Sequence, residues 1–381
     1  MQFLGIIAFI FALLFSVMVH EFGHYLTARH YGMRISEFFL GFGKRIWSTQ
    51  RGETEFGLKA IPAGGYCRIE GMAPNDEMPF GEEDRAFYKA SSGRKLIVLG
   101  AGSFLHFVLG FLLLFLLFAG VGVNQVLPVI SEVVKDSVAQ SAGMQAGDEV
   151  TSINGVKVSE WYKDVAAIRN SQGRELTFTL KRNGVLITIK ATPRLTDVDG
   201  SKRYVLGIIN QVGLQRSGLV AAIKNSGTVS KSFAVQSVKS LISLPSKIPA
   251  LWGQAIRGDK RDANGLVGVV GVARVSGQAV SSDQLNVRER LATFILIIAS
   301  LNIFVGIFNL LPILPLDGGH MAVAIADEIR AFFARLRGRP RPAGIDVTVL
   351  TPVTMVVFVI LAALTLLLLV ADIVNPLNLN L

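Results

Sequence analysis

Four stretches of this chain are apolar for long enough to cross a lipid bilayer as helices, which takes about 20 residues each. They run from Phe3 to Leu26, Leu96 to Val121, Leu291 to Leu311 and Val349 to Ala371. Lipid satisfies no backbone hydrogen bonds, so these stretches have to be helical, and the rest of the chain has to be arranged around them. Over the 381 residues 51% are hydrophobic, which soluble domains of this length rarely reach. The first stretch starts Met1-Gln2-Phe3, with no basic n-region and no cleavage site, which argues against a removed signal peptide.

The formal net charge is +10, and its distribution matters more than its size. Between the first two spans lie 11 Lys and Arg residues, from Arg29 to Lys95. Between the last two lie Arg330, Arg335, Arg337, Arg339 and Arg341, whereas both termini lack Lys and Arg. The positive-inside rule places both basic loops in the cytoplasm and both termini outside. The long segment between the second and third spans is then extracytoplasmic. No basic patch is interleaved with aromatic residues, so the charge points to membrane topology and not to nucleic acid. The single cysteine, Cys67, excludes an internal disulfide and a Cys-rich zinc site.

His20-Glu21-Phe22-Gly23-His24 ends the first span. Residues four apart share a helix face, so His20 and His24 can ligate one metal ion. Glu21, beside the first ligand, is placed to take a proton from water at the metal's open position. Ionisable groups inside an apolar span are costly and mark function by default. Two histidines leave a catalytic zinc one protein ligand short. The candidate third is Asp317, in Leu316-Asp317-Gly318-Gly319-His320 after the Pro-broken end of the third span, with His320 as a rival.

From about Pro128 to Pro193 the pattern changes to short β-branched runs. Glu149 to Ile153 and Val156 to Val158 flank Asn154-Gly155; Glu175 to Arg182 and Val185 to Ala191 flank Asn183-Gly184. Asn-Gly between such runs predicts tight hairpins. A helix is expected from Trp161 to Asn170. The run Ser137 to Asp148, followed by Ile153-Asn154-Gly155, resembles a bacterial PDZ domain. Such domains take an extended peptide as an added strand. Further on, Phe233 to Leu244 has helical spacing, and Pro245 is expected to end that helix.

Together, the His-Glu-x-x-His span, the later Leu-Asp-Gly motif and the PDZ-like segment resemble the site-2 protease family, in its bacterial RseP-like branch. Gly41-Phe42-Gly43-Lys44 and Ile61-Pro62-Ala63-Gly64-Gly65-Tyr66 match the family's loop after the first span. Asn309, Pro312 and Asp317 fall at its spacing, and Gly265 to Gly277 resembles its Gly-rich segment. This chain shows one PDZ-like domain where the best-known members carry two.

The resemblance implies an intramembrane zinc metalloprotease, with Zn2+ on His20, His24 and Asp317 and Glu21 as general base. It implies Asn309, Pro312, Gly64 and Gly65 as substrate-binding positions. Implied substrates are transmembrane segments, such as anti-sigma factors or remnant signal peptides, in the bacterial cytoplasmic membrane. The PDZ-like domain would lie outside and hold a peptide, and the active site would lie towards the cytoplasm. The expected fold is an α-helical polytopic membrane protein with a membrane-associated β-hairpin and an inserted β-rich PDZ-like domain. The expected divisions are 1–123, 124–217, 218–290 and 291–381. A transporter or a silent membrane scaffold would also tolerate charged residues in spans, but neither accounts for an intact His-Glu-x-x-His.

Overall fold

The computed structural model describes residues 1–74, 76–158, 161–198, 200–261 and 265–376. The chain divides into two compact units, one made of residues 1–121 with 217–381 and the other of residues 122–216.

The first unit begins with α1 (Gln2–His30), β1 (Ile35–Arg51), β2 (Thr54–Ile69) and α2 (Ser92–Leu116), which one wider turn extends to Val121. The second unit contains β3 (Val123–Val133), α3 (Val138–Ser141), β4 (Glu149–Ile153), β5 (Val156–Lys157), α4 (Trp161–Asp164) and α5 (Ala166–Arg169). It continues with β6 (Leu176–Arg182), β7 (Val185–Ala191), β8 (Arg194–Val198), β9 (Ser201–Val205) and β10 (Ile208–Gln215). The chain then returns to the first unit with α6 (Leu219–Trp252), α7 (Val269–Ser281), α8 (Val287–Asn309), α9 (Asp317–Leu336) and α10 (Thr351–Val374).

Among the described residues, four helices are long and apolar enough to span a membrane: Gln2–His30, Ser92–Val121, Val287–Asn309 and Val347–Val374. The protein is thus a polytopic membrane protein carrying β-sheet. Hydrophobic burial cannot drive helix association in lipid, so contacts depend on close approach of small residues. Such contacts recur. A Cβ on Gly23 of α1 would lie 2.7 Å from Ala101 O of α2, and one on Gly306 of α8 would lie 2.9 Å from the Phe107 ring of α2. One on Gly5 of α1 would meet Gly277 Cα of α7 at 2.9 Å. The start of α8 is fixed by a reciprocal capping box between Asn286 and Glu289.

The last span is pinned by charge. Arg261 donates to Asp372 Oδ1 at 2.6 Å and to Leu266 O at 2.8 Å. Asp372 Oδ2 also accepts the Gly271 N–H at 2.8 Å, in the first turn of α7. Both charged side chains are buried, so losing either would strand the other.

Two expectations need correction. Pro245 does not end its helix: α6 runs through both Pro245 and Pro249. Each proline removes one N–H, leaving the carbonyl four residues earlier without its helical donor, and serine hydroxyls add bonds to neighbouring carbonyls of the same turns. Ser243 Oγ donates to Ser240 O at 3.1 Å and Ser246 Oγ to Ser243 O at 2.8 Å. The helix expected over Trp161 to Asn170 is two short pieces. At Val165 an i+3 bond from the Ile168 N–H, 3.1 Å, tightens the turn.

The ribbon after α1 is also longer than the loop motif indicated. β1 and β2 form a bent antiparallel pair in which Phe38 is partnered by both Phe56 and Cys67, and Phe39 by both Gly57 and Tyr66. The ribbon therefore folds back on itself. Gly57 makes this possible, because a Cβ there would collide with Trp47 O and the Phe39 ring.

In the second unit the sheet order is β10-β3-β4-β6-β7, with β5 beside β4 and a separate β8–β9 hairpin. Phe178, Leu180, Val150, Ile130 and Trp161 form its core. Asn154-Gly155 and Asn183-Gly184 all have positive φ, as two-residue hairpins of this twist require. Asp148, fully buried, accepts two bonds from Arg182 and one from the Gln145 N–H. Arg182 also donates to Gly143 O at 2.8 Å, so one guanidinium clamps the 143–148 turn.

The Arg182 hydrogen bonds hold the Asp148 carboxyl below its ordinary value. Its stabilisation is therefore complete above the unfolded pKa of about 4 and is lost as pH falls through the lower folded value. Asp148→Asn is expected to destabilise this unit by about 2–3 kcal/mol at neutral pH. The gap between variant and wild type should shrink below about pH 4, as read by hydrogen exchange of β4 and β6 amides.

Candidate metal centre

Helical spacing puts His20 and His24 on one face of α1, and that face meets α2 where α2 has no side chain. A Cβ at Gly102 would lie 2.5 Å from His20 Cε1 and 2.6 Å from His24 Nε2. Both imidazoles are buried, at 6% and 7% exposure, a depth at which an unpartnered polar group is costly.

The carboxylate comes from the break after α8. The chain leaves the helix at Asn309, turns through residues 310–316 and starts α9 at Asp317. The turn packs against the first residues of α9. A Cβ on Gly318 would stand 2.3 Å from Leu311 O, and one on Gly319 would stand 2.4 Å from Leu314 N. Two glycines after the aspartate are thus a packing requirement. Asp317 occupies the first turn of α9, where the helix dipole favours a carboxylate.

These elements bring three ligand atoms together. His24 Nε2 lies 3.1 Å from His20 Nε2. Asp317 Oδ2 lies 3.2 Å from His20 Nε2 and 3.4 Å from His24 Nε2. Atoms at about 2.1 Å from a tetrahedral zinc are about 3.4 Å apart, so the observed triangle has the right size. The tautomer also fits. His24 Nδ1 donates to Val98 O at 2.8 Å, which leaves the Nε2 lone pair facing the other two atoms. Three lone pairs converging on one point call for a cation. Among the described residues, His20, His24 and Asp317 form the one group of His, Cys, Asp and Glu side chains close enough to hold a metal. His320, the rival, is half-buried and outside that group.

Glu21 does not join the triangle. Its Oε2 accepts the Cys67 N–H of β2 at 3.0 Å. The ribbon comes this close because position 65 is glycine: a Cβ there would sit 2.7 Å from Met18 Sδ and 3.6 Å from Glu21 Cγ. Gly64 has φ +149°, which a side chain would strain. Gly65 thus lies beside Glu21, and Gly64 lies against the Phe42 ring. Asn309 and Pro312 lie at the end of α8 and in the turn before Asp317.

Sequence reasoning missed a buried polar chain beside the histidines. The His106 ring of α2 lies 5.0 Å from the His20 ring. His106 Nδ1 pairs with Asn302 Oδ1 of α8 at 2.9 Å, and Asn302 Nδ2 donates to Ser16 Oγ of α1 at 3.1 Å. All three are at most 3% exposed. They tie three spans together next to the metal centre. The available signal was an imidazole and an amide inside otherwise apolar stretches.

Comparison with known proteins agrees with this chemistry. A family model described as peptidase family M50 matches residues 8–359. The zinc metalloprotease Rip1 of Mycobacterium tuberculosis is 33% identical over 410 residues, covering 98% of each chain. A putative zinc metalloprotease of Mesorhizobium japonicum is 31% identical, covering 84% of this chain and 88% of its own. A third relative, from Clostridium acetobutylicum, is 26% identical over 99% of this chain and all of its own, and is also named a putative zinc metalloprotease.

The closeness of Gly102 to both rings gives a test that spares every ligand. Gly102→Ala is expected to push the imidazoles off the triangle and weaken metal binding about 10- to 100-fold. Zinc content after dialysis against a graded chelator series would measure this, with circular dichroism verifying that the helices persist. Wild-type retention would show that α2 does not set the ring positions.

Proposed function

The chain belongs to peptidase family M50, the site-2 proteases, and is a zinc metalloprotease; from that premise we propose that it hydrolyses peptide bonds within transmembrane segments of membrane proteins. The observation that carries this reading is that His20 and His24 lie within the α1 span and meet Asp317, which follows the break after the α8 span.

His20, His24 and Asp317 are the proposed ligands, and Glu21 the proposed general base. Zinc held there supplies Lewis acidity and activates water near neutral pH. Glu21 Oε2 is held by the Cys67 N–H, which fixes the carboxylate and leaves Oε1 to accept the proton of the attacking water. The same carboxyl then delivers that proton to the leaving amine. Burial of both imidazoles limits bulk water at the ligands.

A transmembrane helix hides its carbonyls in hydrogen bonds, so the substrate has to be unwound before attack. The stretch of β2 at Gly65–Cys67 pairs with β1 on one side, and its Cys67 N–H points away from β1 towards Glu21. That edge suits an unwound segment added as a strand, with Gly64 and Gly65 leaving room for it. The Asn309 side-chain amide, at the end of α8, would hydrogen-bond exposed substrate backbone, and Pro312 would shape the turn before Asp317.

The second unit is proposed to be PDZ-like and to bind an extended peptide. β10 ends the sheet order and so offers an edge. A groove of about 340 Å³ beside it is lined by Val134, Trp161, Val165, Ile168, Leu206 and Ile208. Proposed substrates include anti-sigma factors and remnant signal peptides. The proposed setting is the bacterial cytoplasmic membrane, with both termini and the second unit outside and the metal centre towards the cytoplasm.

The test is cleavage of a single-span substrate by the full-length protein, with cut sites mapped by mass spectrometry. Wild type should cut inside the span. Glu21→Gln should keep zinc and lose activity by about 10²–10⁴-fold, and Asp317→Ala should lose both. Cuts confined to residues outside the span would overturn the intramembrane reading. Equal cutting by Glu21→Gln would remove Glu21 as the base.

A further inference from the structure

The segment joining α8 to α10 leaves one span at Asn309 and enters the next at Thr351, so both of its ends lie at the same face of the bilayer. Helix α9 occupies most of it. One side of α9 packs on the protein through Ala324 and Ala331, exposed by only 4% and 3%. Another carries Ile325, Ile329, Phe332, Phe333 and Leu336, each 46% to 67% exposed. These positions recur at helical spacing and form one exposed apolar stripe, of which Ile329 and Phe333 also line a cleft at the end of the helix.

The C-terminal end of α9 is strongly basic. From residue 329 to 345 there are five arginines and no acidic residue. Arg330 pairs with Asp327, and Arg341 with Glu328. Arg337 and Arg339 are exposed and have no side-chain partner among the described residues. Their positions are set by the backbone. Gly338, at φ +64°, lets the Gly338 N–H bond Arg335 O at 3.0 Å and the Arg339 N–H bond Ala334 O at 2.9 Å. This double closure ends the helix and turns the chain back along it. Asp327 Oδ1 accepts the Ile345 N–H at 2.8 Å and holds the returning strand. Between helix and strand lies a cleft of about 630 Å³, whose lining includes Ile329, Phe333, Arg337, Arg339, Pro340 and Pro342.

We propose that α9 is an interfacial helix and that this cleft binds the phosphate of an anionic phospholipid. The apolar stripe enters the acyl boundary, and Arg337 and Arg339 meet the headgroup. An arginine fork matches phosphate oxygens in pairs, and a net-negative headgroup is favoured over one that carries its own cation. A helix with an apolar face, a basic end and attachment to two spans has the properties of a membrane-surface element.

Native mass spectrometry of the full-length protein in detergent, equilibrated with equal phosphatidylglycerol and phosphatidylcholine, tests this. Wild type should retain phosphatidylglycerol preferentially. Arg337→Gln/Arg339→Gln should lower that retention about tenfold or more, while Arg194→Gln, in the second unit, leaves it unchanged. Bound zinc reports that the variant is folded; should the double variant lose it, each single variant is measured instead. Equal retention by variant and wild type, or no headgroup preference in wild type, would overturn the proposal. So would displacement by inorganic phosphate as readily as by phosphatidylglycerol, or a dimer that the double variant dissociates, which would assign the stripe to a second copy.

Discussion

Three lone pairs aimed at one point repel one another unless a cation lies among them, and the membrane unit is built around that condition. His20, His24 and Asp317 have atoms 3.1 to 3.4 Å apart, in a setting where water contributes little screening. Such a cluster is destabilising as bare protein and stabilising with a divalent ion, because ligand binding is linked to the folded state. Each neighbouring contact can be read as holding these groups in place against their repulsion. The Val98 carbonyl fixes one imidazole, and the Gly318-Gly319 turn fixes the carboxylate.

Holding them requires packing that lipid does not reward through burial. The unit uses two substitutes. One is close approach at glycines, seen where Gly23 meets Ala101 and Gly306 meets Phe107. The other is hydrogen bonding across spans, seen in Ser16, Asn302 and His106. The substitutes occur side by side: a Cβ on Gly306 would stand 3.2 Å from His106 Cβ, one turn from Asn302. Removing a glycine there would move the polar chain, and moving the polar chain would disturb the ring packed on His20.

What could be read in advance follows from how local each signal is. The four spans depend only on runs of apolar residues, and the helices lie where those runs are. His20 and His24 are four apart on one helix, so their meeting needed no tertiary knowledge. Asp317 meets them across nearly 300 residues, yet the proline break and the two glycines marked the place. His106 and Asn302 carry no spacing signal, since their pairing depends on how α2 and α8 cross. Pro245 misled because a proline inside a helix removes one hydrogen bond, which the other turns of the 34-residue α6 outweigh. The ribbon was underestimated because residues 35–51 show no clean alternation: Phe38 and Phe39 are both inward-packed, each with two strand partners.

One short stretch of α2 registers both halves of the candidate metal centre. Gly23 of α1 rests on Ala101, and the rings of His20 and His24 lie over Gly102. From the other side, the Met321 methyl of α9, four residues beyond Asp317, lies 3.8 Å from where a Gly100 Cβ would be. Gly100-Ala101-Gly102 therefore acts as a common bed for two helices that arrive from distant parts of the sequence. The two helices are held differently on it. α1 is tightly fitted, with sub-3 Å limits on an added atom at Gly23 and Gly102, whereas α9 meets the bed through the flexible Met321 side chain. The Asp317 carboxylate takes its position from its own turn, where Gly318 and Gly319 pack on residues 310–314, and the histidines take theirs from the bed. The candidate site is thus positioned from two independent directions, by the α2 bed under the histidines and by the glycine turn behind Asp317.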